Sequence, residues 1–133
     1  MKIVVDTNIL FSFFWEGSIT RKLLLASSLE LISPEYALEE LRKYKAEILR
    51  KTGAKDTAFE GYLRELKRVV KFIKKTEYSD YSNEAKIISP DEKDSEFLAL
   101  CLKESCHLWS NDLLLKKQIK VKVLTTEEII RLL

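Results

Sequence analysis

The chain has 133 residues, enough for one folded domain with a real core and too few for two. Hydrophobic residues make up 46% and charged residues 33%, which excludes an intrinsically disordered chain. The net charge of +2 excludes a polycation that binds nucleic acid through bulk charge, so any such contact has to come from local patches. No apolar run approaches a membrane span and no signal peptide precedes the first strand, so the expectation is a cytosolic protein with no membrane partner. Abundant Lys and Glu with three Gly and two Pro lean toward a protein from a hot environment. Cys101 and Cys106 are the only cysteines. With no second pair to complete a zinc site, they read as buried thiols in a reducing compartment.

Ile3-Val4-Val5 reads as a short buried strand. It delivers Asp6, Thr7 and Asn8 before Ile9-Leu10-Phe11 turn apolar again. A carboxylate set in that much apolar sequence needs a cation, a set of N–H donors, or the mouth of a cleft. Asp6 is therefore either a cap for the next helix or a cleft residue at a strand end. Phe13, Phe14 and Trp15 fit either core or a cleft flank, core being the preferred reading and Trp15 the weakest case for it. Ser18 to Ser28 reads as a helix with Leu23, Leu24 and Leu25 inward, and Leu29 to Ile32 as a strand.

Ser33-Pro34 carries the signature of a helix start, and Gly53 that of a stop, predicting one helix to about Thr52. Its stripe is Ala37, Leu41, Tyr44 and Ile48. At about 100° per residue, Glu40 flanks this stripe while Glu39 points nearly away from it. Lys55 to Lys75 reads as a second long helix buried through Phe59, Tyr62, Leu63, Leu66, Val70 and Ile73. Its outer lysines and arginines, with Arg42, Lys43, Lys45, Arg50 and Lys51, read as a solvated, salt-bridged surface or as a basic rim for phosphates.

Residues 77–84 read as a loop and Ala85 to Ile88 as a short strand. Ser89-Pro90, with Glu92 at capping-box distance, predicts another helix start, and Phe97, Leu98, Cys101 and Leu102 face inward. Asp91 fits a first-turn acid at this helix. Asp94 leads directly into the apolar face and fits a cleft as well. Leu108-Trp109 reads as a strand running into Ser110-Asn111-Asp112, an echo of the opening motif. Lys120 to Leu124 reads as the last strand, and Thr125 with Glu128 as a capping box for a closing helix through Leu132.

Alternation of strands and helices argues a parallel sheet covered on both faces. Asp6 and Asp112 then fall at carboxyl ends of strands, and Glu40 and Asp94 near the starts of helices that follow strands. All four converge on one edge of the sheet. Four carboxylates in one cleft raise each other's pKa, an arrangement that a divalent cation neutralises. An all-oxygen set suits Mg²⁺ or Mn²⁺ and commonly serves phosphate chemistry.

Val-Val-Asp6-Thr-Asn, Glu40-Leu41, Asp94 leading Phe97-Leu98-Ala99-Leu100, and Ser110-Asn111-Asp112, in this order and spacing, resemble the PIN domain over essentially the whole chain. The resemblance implies a three-layer α/β/α sandwich around a central parallel sheet, residues 1–133 forming one domain. It implies a metal-dependent endoribonuclease, as in VapC-type toxins and some RNA-processing factors. RNA is then the substrate, a cognate antitoxin a partner, and a homodimer a candidate assembly. Asp6, Glu40, Asp94 and Asp112 would be the Mg²⁺ or Mn²⁺ ligands, with Glu40 positioning or deprotonating the attacking water. In-line attack would leave 5′-phosphate and 3′-hydroxyl ends. Thr7, Asn8 and Ser110 would shape the site by hydrogen bonds. Glu39 competes with Glu40, and Asp91 with Asp94. Leu115 stands where some relatives carry a further acid, so a second metal would be less well held.

Two other readings compete. One is a PIN-like RNA-binding or assembly module without catalysis, which the complete acid set argues against. The other is a phosphatase or response-regulator-like domain, which lacks its strand-end Lys here. His107 is the single histidine, which argues against a metal-free ribonuclease that uses two.

Overall fold

The computed structural model describes residues 1–26 and 28–133. In chain order its regular elements are β1 (Lys2–Val5), α1 (Thr7–Phe11), α2 (Ile19–Ala26), β2 (Glu30–Pro34), α3 (Tyr36–Lys43) and α4 (Lys45–Thr52). There follow α5 (Phe59–Val69), β3 (Val70–Ile73), α6 (Lys75–Tyr78), α7 (Ser82–Ile88), α8 (Ser95–Glu104), β4 (His107–Trp109), β5 (Val123–Leu124) and α9 (Thr126–Leu132). Short 3₁₀ turns join several of them, including Ser12–Phe14, Glu92–Asp94 and Leu113–Lys117.

The five strands form one parallel sheet in the order β3-β2-β1-β4-β5. Helices cover both faces, giving the α/β/α sandwich expected from the sequence. Ile3, Val4 and Val5 are all fully buried, as a strand covered on both sides requires. The core continues through Phe13, Phe14, Leu41, Phe59, Leu98, Leu108 and Trp109. Strand order reverses at β1, whose two neighbours are β2 and β4, and the crevice of an open parallel sheet lies beyond the carboxyl ends of strands at that point. Among the described residues no helix is long and apolar enough to cross a membrane.

Several local expectations are corrected. Ser33-Pro34 does not start a helix. Both residues are buried at the end of β2, where Ser33 pairs with Phe72 and Pro34 with Ile73 of β3. Pro34 lies beyond the last residue of β2 that pairs with β1, a position where a missing N–H costs little. The second predicted helix accordingly stops at Val69, and Val70 and Ile73 are buried from a strand instead. The helix predicted through Thr52 is two, broken at Tyr44 (φ −99°, ψ 18°), although Gly53 does end the second in the left-handed region at φ 73°. Residues 77–84 are helical turns rather than loop, and Ala85–Ile88 belongs to α7 rather than to a strand. At Ser89-Pro90 the cap comes from Asp91, whose carboxylate accepts from the Lys93 N–H at 3.1 Å. Leu25 is exposed while Leu24 is buried, and the extension of α2 through Ser27 lies outside the described residues.

The closing helix follows its sequence signature. Thr125 Oγ1 accepts from the Glu128 N–H, and Glu128 Oε1 accepts in return from the Thr125 N–H at 3.1 Å. Thr125→Ala is expected to lower stability by about 1 kcal/mol in urea unfolding, the usual cost of a lost N-cap.

Candidate functional site

A cleft of about 540 Å³ opens beyond the ends of β1 and β4. Asp6, Glu40, Asp94 and Asp112 all line it, with Thr7 and Asn8, so the structure brings together every acid singled out in the sequence. Each arrives by a different route. Asp6 is the first residue after β1, fixed by its N–H to the Trp109 carbonyl (3.0 Å) and by its own carbonyl accepting from Ile9 and Leu10 as α1 begins. Its side chain makes no cap, which removes the bland alternative for Asp6. Glu40 hangs from the second turn of α3. Asp94 stands at the N-cap of α8, again without a side-chain cap bond. Asp112 follows β4, and its Oδ1 accepts from the Leu114 N–H at 3.0 Å.

Hydroxyls organise the acids. Ser110, wholly buried, donates to Asp6 Oδ2 at 2.7 Å and accepts from the Asp112 N–H at 3.1 Å, tying the two strand ends together. Thr7 donates to Glu40 Oε1 at 2.6 Å. Ser110 thus acts from behind the cleft rather than in its wall. Asn8 is exposed on the rim.

Burial raises the pKa of Asp6, which is only 8% exposed. The Ser110 hydroxyl and the Thr7 N–H oppose the rise, and the Asp112 charge adds to it. Burial also raises Glu40, opposed by the Thr7 hydroxyl and by the nearby Lys93 and Lys43 ammonium groups. Asp94 is pushed up to about 7, first by burial and then by the charges of Asp6, Asp112, Asp91 and Glu40. Asp6, Glu40 and Asp94, on three different elements, are therefore all raised, with a neighbouring carboxylate among the causes in each case, the electrostatic signature of a site rather than of a solvated surface.

The paired alternatives separate unequally. Glu39 is exposed and faces a second groove with Lys74, Lys75 and Lys86, so the helical-wheel preference for Glu40 is met. Asp91 lines the acidic cleft as well, one carboxylate oxygen accepting from the Lys93 N–H as Asp112 accepts from Leu114, so Asp91 and Asp94 both stay candidates. Leu115 is buried and does not reach the cleft, and His107 stands at the opposite, amino-terminal end of β4 from Asp112. Trp15 lines the cleft, the second of its two sequence readings, whereas sequence reasoning did not place Tyr44, Glu47, Lys51 or Lys93 there, though all line it.

The donors offered to a ligand are hard oxygens, the chemistry that suits Mg²⁺ or Mn²⁺. Among the described residues no three of these acids converge into a closed metal cage. Fold and cleft together define a doubly wound α/β/α protein with an acidic centre at its topological switch point. The chain belongs to the PIN-domain family, whose signature it matches over residues 4–132. Its fold is similar to that of a chain in the crystal structure of VapBC2 from Rickettsia felis bound to a DNA fragment from their promoter. The TM-score is 0.67 at 16% identity, covering 94% of this chain and 98% of that one. No sequence match was found among curated proteins.

Proposed function

We propose that this protein is a divalent-metal-dependent endoribonuclease of the VapC type, acting in the cytoplasm as the toxin of a toxin–antitoxin pair. One observation carries the chemistry: four carboxylates from four separate elements line a single cleft, and the charges of the other three push Asp94 up further after burial. PIN domains are generally nucleases, and the fold neighbour is half of a toxin–antitoxin complex, which supports an antitoxin as partner.

Asp6, Asp94 and Asp112 would hold Mg²⁺ or Mn²⁺, with Glu40 beside them. Such an ion, when bound, supplies Lewis-acid activation and neutralises charge on the phosphate. Glu40 takes the proton of the attacking water, a role its raised pKa favours. Thr7 keeps one Glu40 oxygen fixed, so the other is aimed by default at the cleft. The water oxygen attacks phosphorus in line with the leaving 3′-oxygen, which takes its proton from solvent, giving 5′-phosphate and 3′-hydroxyl ends. Ser110 orients Asp6, and its donated hydrogen bond favours the ionised form against the larger effect of burial.

The test is cleavage of an end-labelled structured RNA with Mg²⁺, Mn²⁺ or EDTA. Cleavage that requires the metal and leaves 5′-phosphates supports the proposal. Metal-independent cleavage, or a folded protein that binds RNA without cutting it, sinks it, and the latter returns the non-catalytic binding module. Ser110→Ala is expected to cost roughly 10- to 100-fold in activity, as loss of a ligand-orienting hydrogen bond does. The loss should show in the metal concentration needed for half-maximal rate.

A further inference from the structure

Trp15 is 57% exposed, whereas the other tryptophan, Trp109, is wholly buried. The place of Trp15 is specific, because it stands in the wall of the acidic cleft with Phe11 and Tyr44, across the same 540 Å³ from Asp6 and Asp94. The backbone that presents it is braced. The Trp15 N–H donates to the Ser12 carbonyl (3.2 Å), its carbonyl accepts from Ser18 N–H (3.0 Å), and Ser18 Oγ donates to Ser12 O (2.7 Å). The Arg21 guanidinium lies 4.4 Å over the Phe13 ring and also donates to the Phe13 carbonyl. Phe14 is stacked on Phe59 at 5.0 Å. Phe13 and Phe14 thus anchor the turn in the core, and among the described residues no ring stacks on Trp15 itself.

Lys93 stands in the same cleft, between the capping Asp91 and Asp94. Among the described residues it forms no ion pair. The cleft therefore offers an aromatic side chain, an ammonium that lies near Glu40 without forming an ion pair, and an acidic floor within a volume suited to a small-molecule-sized group. Those are the parts of a single-strand nucleic-acid subsite: a ring for the base, a cation for the phosphate, and a centre for the chemistry. A base paired inside a duplex presents no free face to such a wall.

We propose that Trp15 is a base-stacking subsite of this cleft, with one nucleobase of the bound RNA seated on the indole and an adjacent phosphate near Lys93. The proposal rests on the nuclease reading for its choice of RNA, and its test reads binding rather than cleavage. Because Trp109 is sealed in the core, indole emission reports stacking on Trp15 selectively.

The experiment titrates the full chain in EDTA with a short single-stranded RNA, the same strand bearing one run of abasic sugars, and the fully paired duplex, following tryptophan emission. The base-bearing single strand is expected to quench emission, and the abasic strand and duplex not to. Trp15→Leu is expected to lose the quench and bind about tenfold more weakly, whereas Trp15→Phe retains most of the affinity. Lys93→Gln is expected to weaken binding and reduce its salt dependence while leaving the quench at saturation intact. An unchanged emission with full RNA binding, or Trp15→Leu binding as well as wild type, overturns the subsite while the nuclease reading stands. Quenching without any metal-dependent cleavage leaves the subsite and removes the nuclease. Emission that shifts with protein concentration alone, and a dimer in sedimentation that Trp15→Leu converts to monomer, assigns the ring to a second copy of the chain and overturns the proposal.

Discussion

Asp6→Asn is expected to lower metal-dependent RNA cleavage by on the order of 10³-fold while leaving the protein folded and no less stable. Asn preserves the shape of the side chain and can still accept from Ser110, so the β1–β4 junction keeps its hydrogen bonds. What it loses is the charge. Burial, the largest influence on Asp6, already acts against that charge, so removing it relieves the folded state. A raised native pKa means that stability from this group is present in full below the unfolded value and is lost as pH rises through the native one. At neutral pH the variant is therefore favoured. Asp112→Asn should lose activity comparably. Unfolding in urea at pH 7.5 with EDTA, run beside the cleavage assay, checks both halves. A variant that is inactive because it is unfolded gives a lower midpoint, whereas the expected variant gives an equal or higher one.

Divalent-cation affinity is expected to rise about tenfold from pH 6 to pH 8, because Asp94, held near 7, must lose its proton before it can serve as a ligand. The stability consequence carries its own sign. Asp94 is raised from its ordinary value, so it favours folding fully at pH below 4, and that contribution disappears as pH rises through about 7. Asp94→Asn should abolish this slope. Because the group is only half-buried, the gain over wild type at pH 8 in EDTA is about 1 kcal/mol after allowance for solvent screening. Chemical unfolding at pH 5 and pH 8 measures it. Equal wild-type and variant stabilities at both pH values would show that Asp94 does not feel the other carboxylates.

The parts of the site that were legible are those whose constraint is local. Ile3-Val4-Val5 can only be a buried strand, and Asp6 directly after it can only be a cap or a cleft residue. The 100° step separates Glu40 from Glu39 on the wheel of α3, even though that helix starts later and ends sooner than its sequence signals imply. Thr125 and Glu128 sit at the spacing their mutual hydrogen bonds require. The parts that were not legible depend on distant partners. Val70 and Ile73 extend the helical spacing of Leu63 and Leu66, and nothing in that pattern says that β2 waits to pair with them. The same unseen strand turned Ser33-Pro34, an ordinary cap-and-proline signal, into the end of a strand. Ala85–Ile88 is too short an apolar run to distinguish strand from helix by period. Trp15 next to Phe13 and Phe14 has the composition of core, and only the bracing of its turn keeps it in the cleft wall. Lys93 carries no signal of its own in the sequence, and only the fold brings it into the cleft near Glu40.

The measurement that bears most directly on the acidic cleft as a metal centre is a Mn²⁺ titration of the wild-type protein and of Asp6→Asn at pH 7.5, followed by the electron paramagnetic resonance signal of free Mn²⁺. Wild type is expected to withdraw Mn²⁺ from solution at a saturable site, excess Mg²⁺ to compete for it, and Asp6→Asn to weaken it at least tenfold. Wild type that leaves the Mn²⁺ signal unchanged, or Asp6→Asn that binds as tightly as wild type, would contradict a metal centre in the acidic cleft.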